Sequence, residues 1–339
     1  MTMLLTLNQD NICLIRLDQD SGNNKMTTHS PQATLIGSIA ILLWSSLALF
    51  TTQANLVPPL LLLSLTFGVA SLLFFIVYLI KGELKSSWSK TPTSAIVMGG
   101  LGFYFYHFCY FYAFQHAPPV EAGLIAYLWP LLIVLMAGMT KGNTLSWTHL
   151  VGAVIAFIGT GIMLQSRASI STIEVNTTYD WTGYAAAFAC AFIWSSYSVA
   201  NRRFQSVPSS AVLWYCLVTT VLAALSHWMI EAQNTATSLD YPASTWIAIL
   251  GLGFGPVGIA FFCWDFGVKK GNLSLLGVLS YTAPALSTAW LGLFTEAQLT
   301  TGQIIACLLI TAGALFASLM RNKRVRPNDE HLASLEINK

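Results

Sequence analysis

Ten predominantly apolar stretches of roughly 20 residues constrain this chain more than any motif in it. They occupy 33–53, 58–80, 94–115, 119–139, 146–165, 181–201, 209–230, 244–266, 273–294 and 301–320, separated by short turns carrying Pro, Gly, Asn or charge. A helix of that length just crosses a hydrocarbon layer about 30 Å thick. Backbone amides and carbonyls find no water there, so only helices or a closed barrel can span it, and unbroken apolar runs lack the alternation of barrel strands. Composition agrees: 55% of the 339 residues are apolar, 9% are charged and the mean hydropathy is +0.63. A soluble domain of this size needs far more charge to cover its surface. The expected fold is an all-α membrane protein of ten transmembrane helices.

The basic residues orient it. Fifteen of the sixteen Lys and Arg residues fall in the even-numbered connections and the two tails, and only Arg167 falls on the other side. Basic loops stay on the cytoplasmic face, so both termini are expected in the cytoplasm and the protein in the inner (plasma) membrane. Residues 1–32 read as a polar cytoplasmic tail without the apolar core of a cleavable signal, and Met26, directly before Thr27-Thr28-His29-Ser30-Pro31, as the true translation start. Residues 321–339 read as a second, basic tail. The net charge of +2 is scattered over short loops, which offers nucleic acid no patch to bind. None of the six cysteines has Cys-x-x-Cys spacing, so they read as small core residues rather than metal ligands or disulfides.

The chain also repeats itself. A shift of 154 residues lays Gly123, Tyr127, Pro130, Leu132, Gly138 and Gly159 on Gly277, Tyr281, Pro284, Leu286, Gly292 and Gly313. A slightly different shift lays Trp44-Ser45-Ser46 on Trp194-Ser195-Ser196. The unit, 33–165 and again 181–320 across a linker at 166–180, holds five spans. An odd number forces the second copy to enter from the opposite face. The result is an inverted-topology repeat, with the substrate site expected in a central cavity between the halves.

Several of these residues carry a resemblance. They are Ala33-Thr34-Leu35-Ile36-Gly37 leading into Leu43-Trp44-Ser45, the stretch from Val120 to Tyr127-Leu128-Trp129-Pro130, Phe192-Ile193-Trp194, and Gly271-Asn272 followed by Ser280-Tyr281 and Pro284. Together they resemble the drug/metabolite transporter superfamily, of the EamA type, and within it the YddG-type aromatic amino acid exporters. The resemblance covers about residues 33–320 and implies ten helices, outward movement of amino acids and a central cavity. It also points to His107, with Tyr106, Tyr110, Tyr127 and Trp129 as its neighbours.

Residue chemistry singles out the same region. Trp44, Trp129 and Trp194 fall near mid-span, where an indole N–H finds no partner in lipid. At least two of the three are expected to face an interior cavity, the alternative being indoles that face lipid or pack within the bundle. Trp88, Trp147, Trp181, Trp214, Trp228, Trp246, Trp264 and Trp290 fall near span ends, as an interfacial belt would. Phe103, Tyr106 or His107, Tyr110 and Phe114 share one face of the third span. His107 is the one ionisable side chain deep in a span, facing either a cavity or a structural hydrogen bond to a neighbouring helix. Tyr281, the repeat mate of Tyr127, completes the candidate set. Pro130 and Pro284 each remove a backbone donor and strand the carbonyls of Ala126 and Ser280. These are expected to be acceptors for a substrate ammonium at two hinges, or else simple bends made for packing.

A pocket of Trp, Tyr and Phe with few polar groups suits an aromatic or large apolar side chain. The absence of mid-span Asp, Glu, Lys and Arg argues against nucleotide and polyamine cargo and leaves neutral or zwitterionic molecules. No phosphate-cradling glycine loop before a lysine is present, against an ATP-driven machine, and no catalytic cluster is present, against an enzyme. The spans are too apolar for an open channel. The expected function is export of aromatic, and of other neutral, amino acids by alternating access. Export of other small metabolites or drugs, and uncoupled facilitation, are the alternatives. No cofactor or metal is expected. The partners expected are membrane lipid and a small-molecule substrate, with the protein acting as a monomer.

Overall fold

The computed structural model describes residues 30–54, 56–117, 119–140, 147–168, 181–232, 239–283, 285–286, 289–290 and 300–319. The N-terminal tail to residue 29, with the expected start at Met26, the linker beyond Ala168, Pro284 and the C-terminal tail lie outside the described residues. Among the described residues every regular element is a helix.

The first expected span holds α1 (Pro31–Ser45) and α2 (Leu47–Gln53), broken at Ser46. Ser45 and Ser46 turn their hydroxyls back onto the carbonyls of Leu42 and Leu43, the local bonding that weakens a helix. Then follow α3 (Pro59–Ile80), the short α4 (Leu84–Ser89) and α5 (Thr93–His116). The fourth span is divided into α6 (Pro119–Ala126) and α7 (Trp129–Gly138). Next come α8 (Trp147–Ala168), α9 (Trp181–Asn201) and α10 (Val212–Ser226), the last prolonged by a π-helical turn, His227–Glu231. α11 (Ala243–Leu252), a π-helical segment (Gly253–Ile259) and α12 (Ala260–Lys270) form one rod, followed by α13 (Leu273–Leu279) and α14 (Thr301–Leu319). Starts obey capping chemistry. The Ser30 hydroxyl accepts from Ala33 N at 3.3 Å ahead of Pro31, and Asn272 Oδ1 accepts from Leu275 N at 3.0 Å.

Four rods are long and apolar enough to cross a membrane by length and composition: Pro31–Thr51, Pro59–Ile80, Ser209–Glu231 and Ala243–Lys270. Other expected spans fall short for local reasons. α5 and α9 have 24 and 21 residues but carry Tyr, His, Ser and Thr on their inner faces, and the fourth span is cut at Tyr127–Leu128. Large apolar side chains dominate the described outer face: Leu35 is 70% and Ile80 80% exposed, which suits lipid and would be costly in water.

Cross-contacts define two ends. At end A, Ser30 N donates to the Lys270 carbonyl (3.0 Å), Asn272 N to Thr34 Oγ1 (2.9 Å) and Ser87 Oγ to the Ser210 carbonyl (3.3 Å). At end B, the Glu231 carboxylate accepts from Leu60 N (2.8 Å) and Leu61 N (3.2 Å), placing negative charge at the positive end of α3. Thr245 also bonds the Gln53 carbonyl there, and Gly183 packs on the His116 carbonyl. α8 packs along α14, α5 along α9, α1 along α12, α3 along α10 and α7 along α13.

Glycine sets the closest of these approaches. A Cβ at Gly267 of α12 would stand 2.6 Å from Gly37 Cα of α1, so only two bare backbones fit at this crossing. G267V is expected to cost about 1–3 kcal/mol by forcing α1 and α12 apart. Thermal melting in detergent reads it, with G68A as control because a Cβ there meets nothing nearer than 3.6 Å. Equal melting of the two variants would contradict the crossing.

Candidate functional site

A cavity of about 460 Å³ opens between the helices, within the range of small-ligand pockets. Seven of the eight expected side chains line it: Trp44 from α1, Tyr106, His107 and Tyr110 from α5, Tyr127 from the turn before α7, Trp129 from α7 and Trp194 from α9. Helical spacing explains the α5 contribution, since Tyr106, His107 and Tyr110 fall on one face. Phe67, Phe261, Pro256 and Val257 complete the wall. Leu47, Thr51, Leu62 and Leu252, all from the half of the bundle nearer end B, extend the cavity in that direction. Toward end A the bundle is packed shut by Phe103, Tyr197, Tyr215 and Trp264, each buried.

The floor is a cluster of four indoles. Trp44, Trp129, Trp194 and Trp264 come from four different helices, yet all six pairs of ring centroids lie between 5.1 and 6.4 Å apart. Edge and tilted geometries dominate, as the ring quadrupoles prefer. Trp264 corrects the sequence-based assignment to the interfacial belt. It is 1% exposed, and its N–H donates to Ser198 Oγ at 3.2 Å. Trp290 is a second correction: its N–H reaches Ser45 Oγ of α1 at 2.9 Å. Trp88, Trp147, Trp181 and Trp228 are exposed, as a belt requires.

His107 combines the two roles weighed from sequence. Its Nδ1 lies 2.7 Å from the Phe103 carbonyl of its own helix, and a carbonyl only accepts, so Nδ1 carries the proton. When the ring is neutral, Nε2 is its lone-pair acceptor. Phe67, Tyr106 and Phe261 surround the imidazole at centroid distances of 5.1, 4.9 and 5.9 Å.

Tyr281 is placed elsewhere. It is fully buried against Phe157, and its hydroxyl accepts from Leu131 N at 3.2 Å. The hydroxyl meets a donor left over where the helix is interrupted before Pro130. Ser195 Oγ does the complementary work, lying within hydrogen-bond reach of the Trp129 and Ala191 carbonyls at 2.8 and 2.7 Å. The Ser280 carbonyl, expected to be stranded, accepts from Ala283 N at 3.2 Å.

The proline that the sequence reading passed over is Pro256. Having no N–H, it cannot serve the Leu252 carbonyl four residues back, and Gly253–Ile259 adopts the wider π-helical register instead. Ala260 N therefore bonds Gly255 O, five residues back, and the Pro256 carbonyl that it would otherwise serve receives the Trp44 indole N–H at 2.9 Å. A proline inside an apolar span that also contains Gly253, Gly255 and Gly258 was the available signal.

Charge was also misjudged near end A. α12 continues to Lys270, so Lys269 is not a loop residue, and its ammonium pairs with the Asp265 carboxylate at 2.9 Å with both side chains buried. Asn201 Nδ2 donates to Asp265 Oδ1 at 2.8 Å, and Lys269 Nζ donates to the Val207 carbonyl at 3.2 Å.

A membrane-embedded helical bundle, with an aromatic cavity at mid-depth that is shut toward one end, has the architecture of a solute carrier. The chain belongs to the EamA-like transporter family, which it matches over residues 32–165 and again over 181–319. It is 45% identical over 291 residues to the aromatic amino acid exporter YddG of Ancylobacter novellus, covering 86% of this chain and 98% of that one. It is 26% identical to the aromatic amino acid exporter YddG of Salmonella typhimurium, over 87% of this chain and 99% of that one. A solved crystal structure 45% identical in sequence superposes with a TM-score of 0.78, over 86% of this chain and 99% of the other.

Proposed function

We propose that this protein exports aromatic amino acids across the inner (plasma) membrane by alternating access. The cavity carries the proposal: aromatic rings make up half of its lining residues, and hydroxyls from Tyr106, Tyr110, Tyr127, Thr51 and Thr66 together with the His107 imidazole supply its few polar side chains. An aromatic side chain gains apolar contact and edge-to-face packing there. No carboxylate, lysine or arginine is among the described lining residues, which favours a cargo whose own charges cancel. The two relatives named as aromatic amino acid exporters support the same cargo.

Ten spans in two inverted halves account for the helix pairing. Exchanging the halves turns the pair α1–α12 into the pair α9–α5, and it returns α8–α14, α3–α10 and α7–α13 to themselves. α1 begins at end A and α9 at end B, as oppositely inserted copies would. The distribution of Lys and Arg supports a cytoplasmic end A with both termini there. The cavity, shut toward end A, then belongs to an outward-facing conformation.

Purified protein in liposomes is expected to move labelled Phe, Trp or Tyr well above protein-free vesicles, and background flux for all three would refute the cargo. A pH gradient across the same vesicles separates two driving modes. Flux indifferent to the gradient identifies facilitation, whereas gradient-dependent flux that His107→Gln abolishes identifies His107 as the proton carrier.

A further inference from the structure

Where does the positive end of a zwitterion rest in a cavity whose described lining holds no carboxylate? An ammonium brought out of water needs acceptors, and its burial without them is strongly unfavourable. Tyr hydroxyls serve equally well as donors to the cargo's carboxylate, so they do not distinguish its two poles. Backbone carbonyls do, because they only accept. The sequence pointed to the carbonyls ahead of Pro130 and Pro284. That of Ser280 is committed to Ala283 N. At the break before Pro130, Tyr281 takes Leu131 N and Ser195 the Trp129 carbonyl. Neither serves the Ala126 carbonyl, which among the described residues receives no indole N–H as that of Pro256 does.

The structure points to Pro256, and we propose that its carbonyl oxygen is the acceptor for the substrate's ammonium group. The assignment rests on the export reading above and specifies which group of the cargo lies where. Pro256 forces the π register of Gly253–Ile259, and that register releases the Pro256 carbonyl from the backbone ladder. The indole N–H of Trp44 holds one lone pair of this oxygen at 2.9 Å, and the second remains for a ligand. Trp44 and Pro256 both line the cavity, and the indole that reaches this oxygen is itself part of the cavity wall.

Its surroundings suit a cation. The Trp44 indole stands 5.8 Å from the Phe261 ring, and that ring stands 5.9 Å from the His107 imidazole, whose free Nε2 is a second neutral acceptor. Ring faces beside a carbonyl attract an ammonium without adding a formal charge. The tyrosine hydroxyls of α5 are then left for the carboxylate. Trp44 belongs to α1 and Pro256 to the rod α11–α12, so an ammonium docked on this oxygen touches both helices at once.

Competition in proteoliposomes tests the assignment. Labelled phenylalanine counterflow is measured against two analogues, phenethylamine, which keeps the ammonium and lacks the carboxylate, and 3-phenylpropionate, which does the reverse. In P256A the N–H returns, the helix can resume its α register and the carbonyl re-enters the ladder. Phenethylamine is expected to compete roughly tenfold less well, the loss of one charge-assisted hydrogen bond, while 3-phenylpropionate changes by less than about twofold. Unchanged phenethylamine competition, or equal weakening of both analogues, overturns the assignment. W44F supplies a second test should P256A not reach the membrane. Phenylalanine keeps a ring but frees both lone pairs, so phenethylamine is expected to compete about threefold better. No change, or a loss, overturns the assignment again. Absence of phenylalanine flux in the wild-type protein instead refutes the export reading itself, so the two failures are told apart.

Discussion

Alanine at position 107 is expected to leave a protein that inserts and melts normally but moves aromatic amino acids at least about tenfold more slowly. The side chain's structural bond runs from Nδ1 to Phe103 within α5, so removing it breaks no hydrogen bond between helices. The loss falls on the cavity. Nε2 disappears, and the rings of Phe67, Tyr106 and Phe261 lose the surface that spaces them. Gel filtration in detergent, with flux per folded molecule, separates the two effects. Full flux in His107→Ala would return the residue to a purely structural role. Glutamine, which keeps an acceptor at a similar reach, is expected to recover part of the rate.

The largest effect on folding is expected at Asp265. Its carboxylate is held by Lys269 and Asn201, and all three side chains are buried. Asp265→Ala leaves a buried ammonium with the Val207 carbonyl as its remaining hydrogen-bond partner among the described residues, and removing one partner of a buried pair costs about 3–5 kcal/mol. That corresponds to a melting temperature lower by on the order of 10 °C, with a matching loss of yield. Combining Asp265→Asn with Lys269→Met removes both charges and keeps the volume, so most of the stability is expected to return. A single Asp265→Ala variant as stable as the parent protein would show that the pair is wet in the membrane.

Much of this was legible in the chain, and the misses share a cause. Apolar runs and their turns located the helices because the lipid requirement acts on each segment separately, without knowledge of its neighbours. His107 and the mid-span indoles were found for the same reason, since a polar atom halfway along a span must have an inward partner. Trp264 and Lys269 were misread because both were judged by distance from a span end that α12 in fact overruns. Pro256 was passed over because one proline in a glycine-rich stretch looks like a packing bend. What gives it chemistry is an indole 212 positions away in sequence. Tyr281 illustrates the opposite error. Repeat symmetry made it the mate of Tyr127, but equivalent positions in two copies need not share an environment, and here one ring lines the cavity while the other seals a helix break.

The four-indole floor has one more consequence. Each ring touches the other three, and each rides on a different helix, so no single helix can slide by a ring's thickness without breaking three contacts together. Close-packed clusters of this kind switch between discrete arrangements and do not deform gradually. A half-lifted floor would thread water through the protein and short-circuit the ion gradients the cell maintains. Four interlocked rings make that leaky intermediate the least favourable stop along the route.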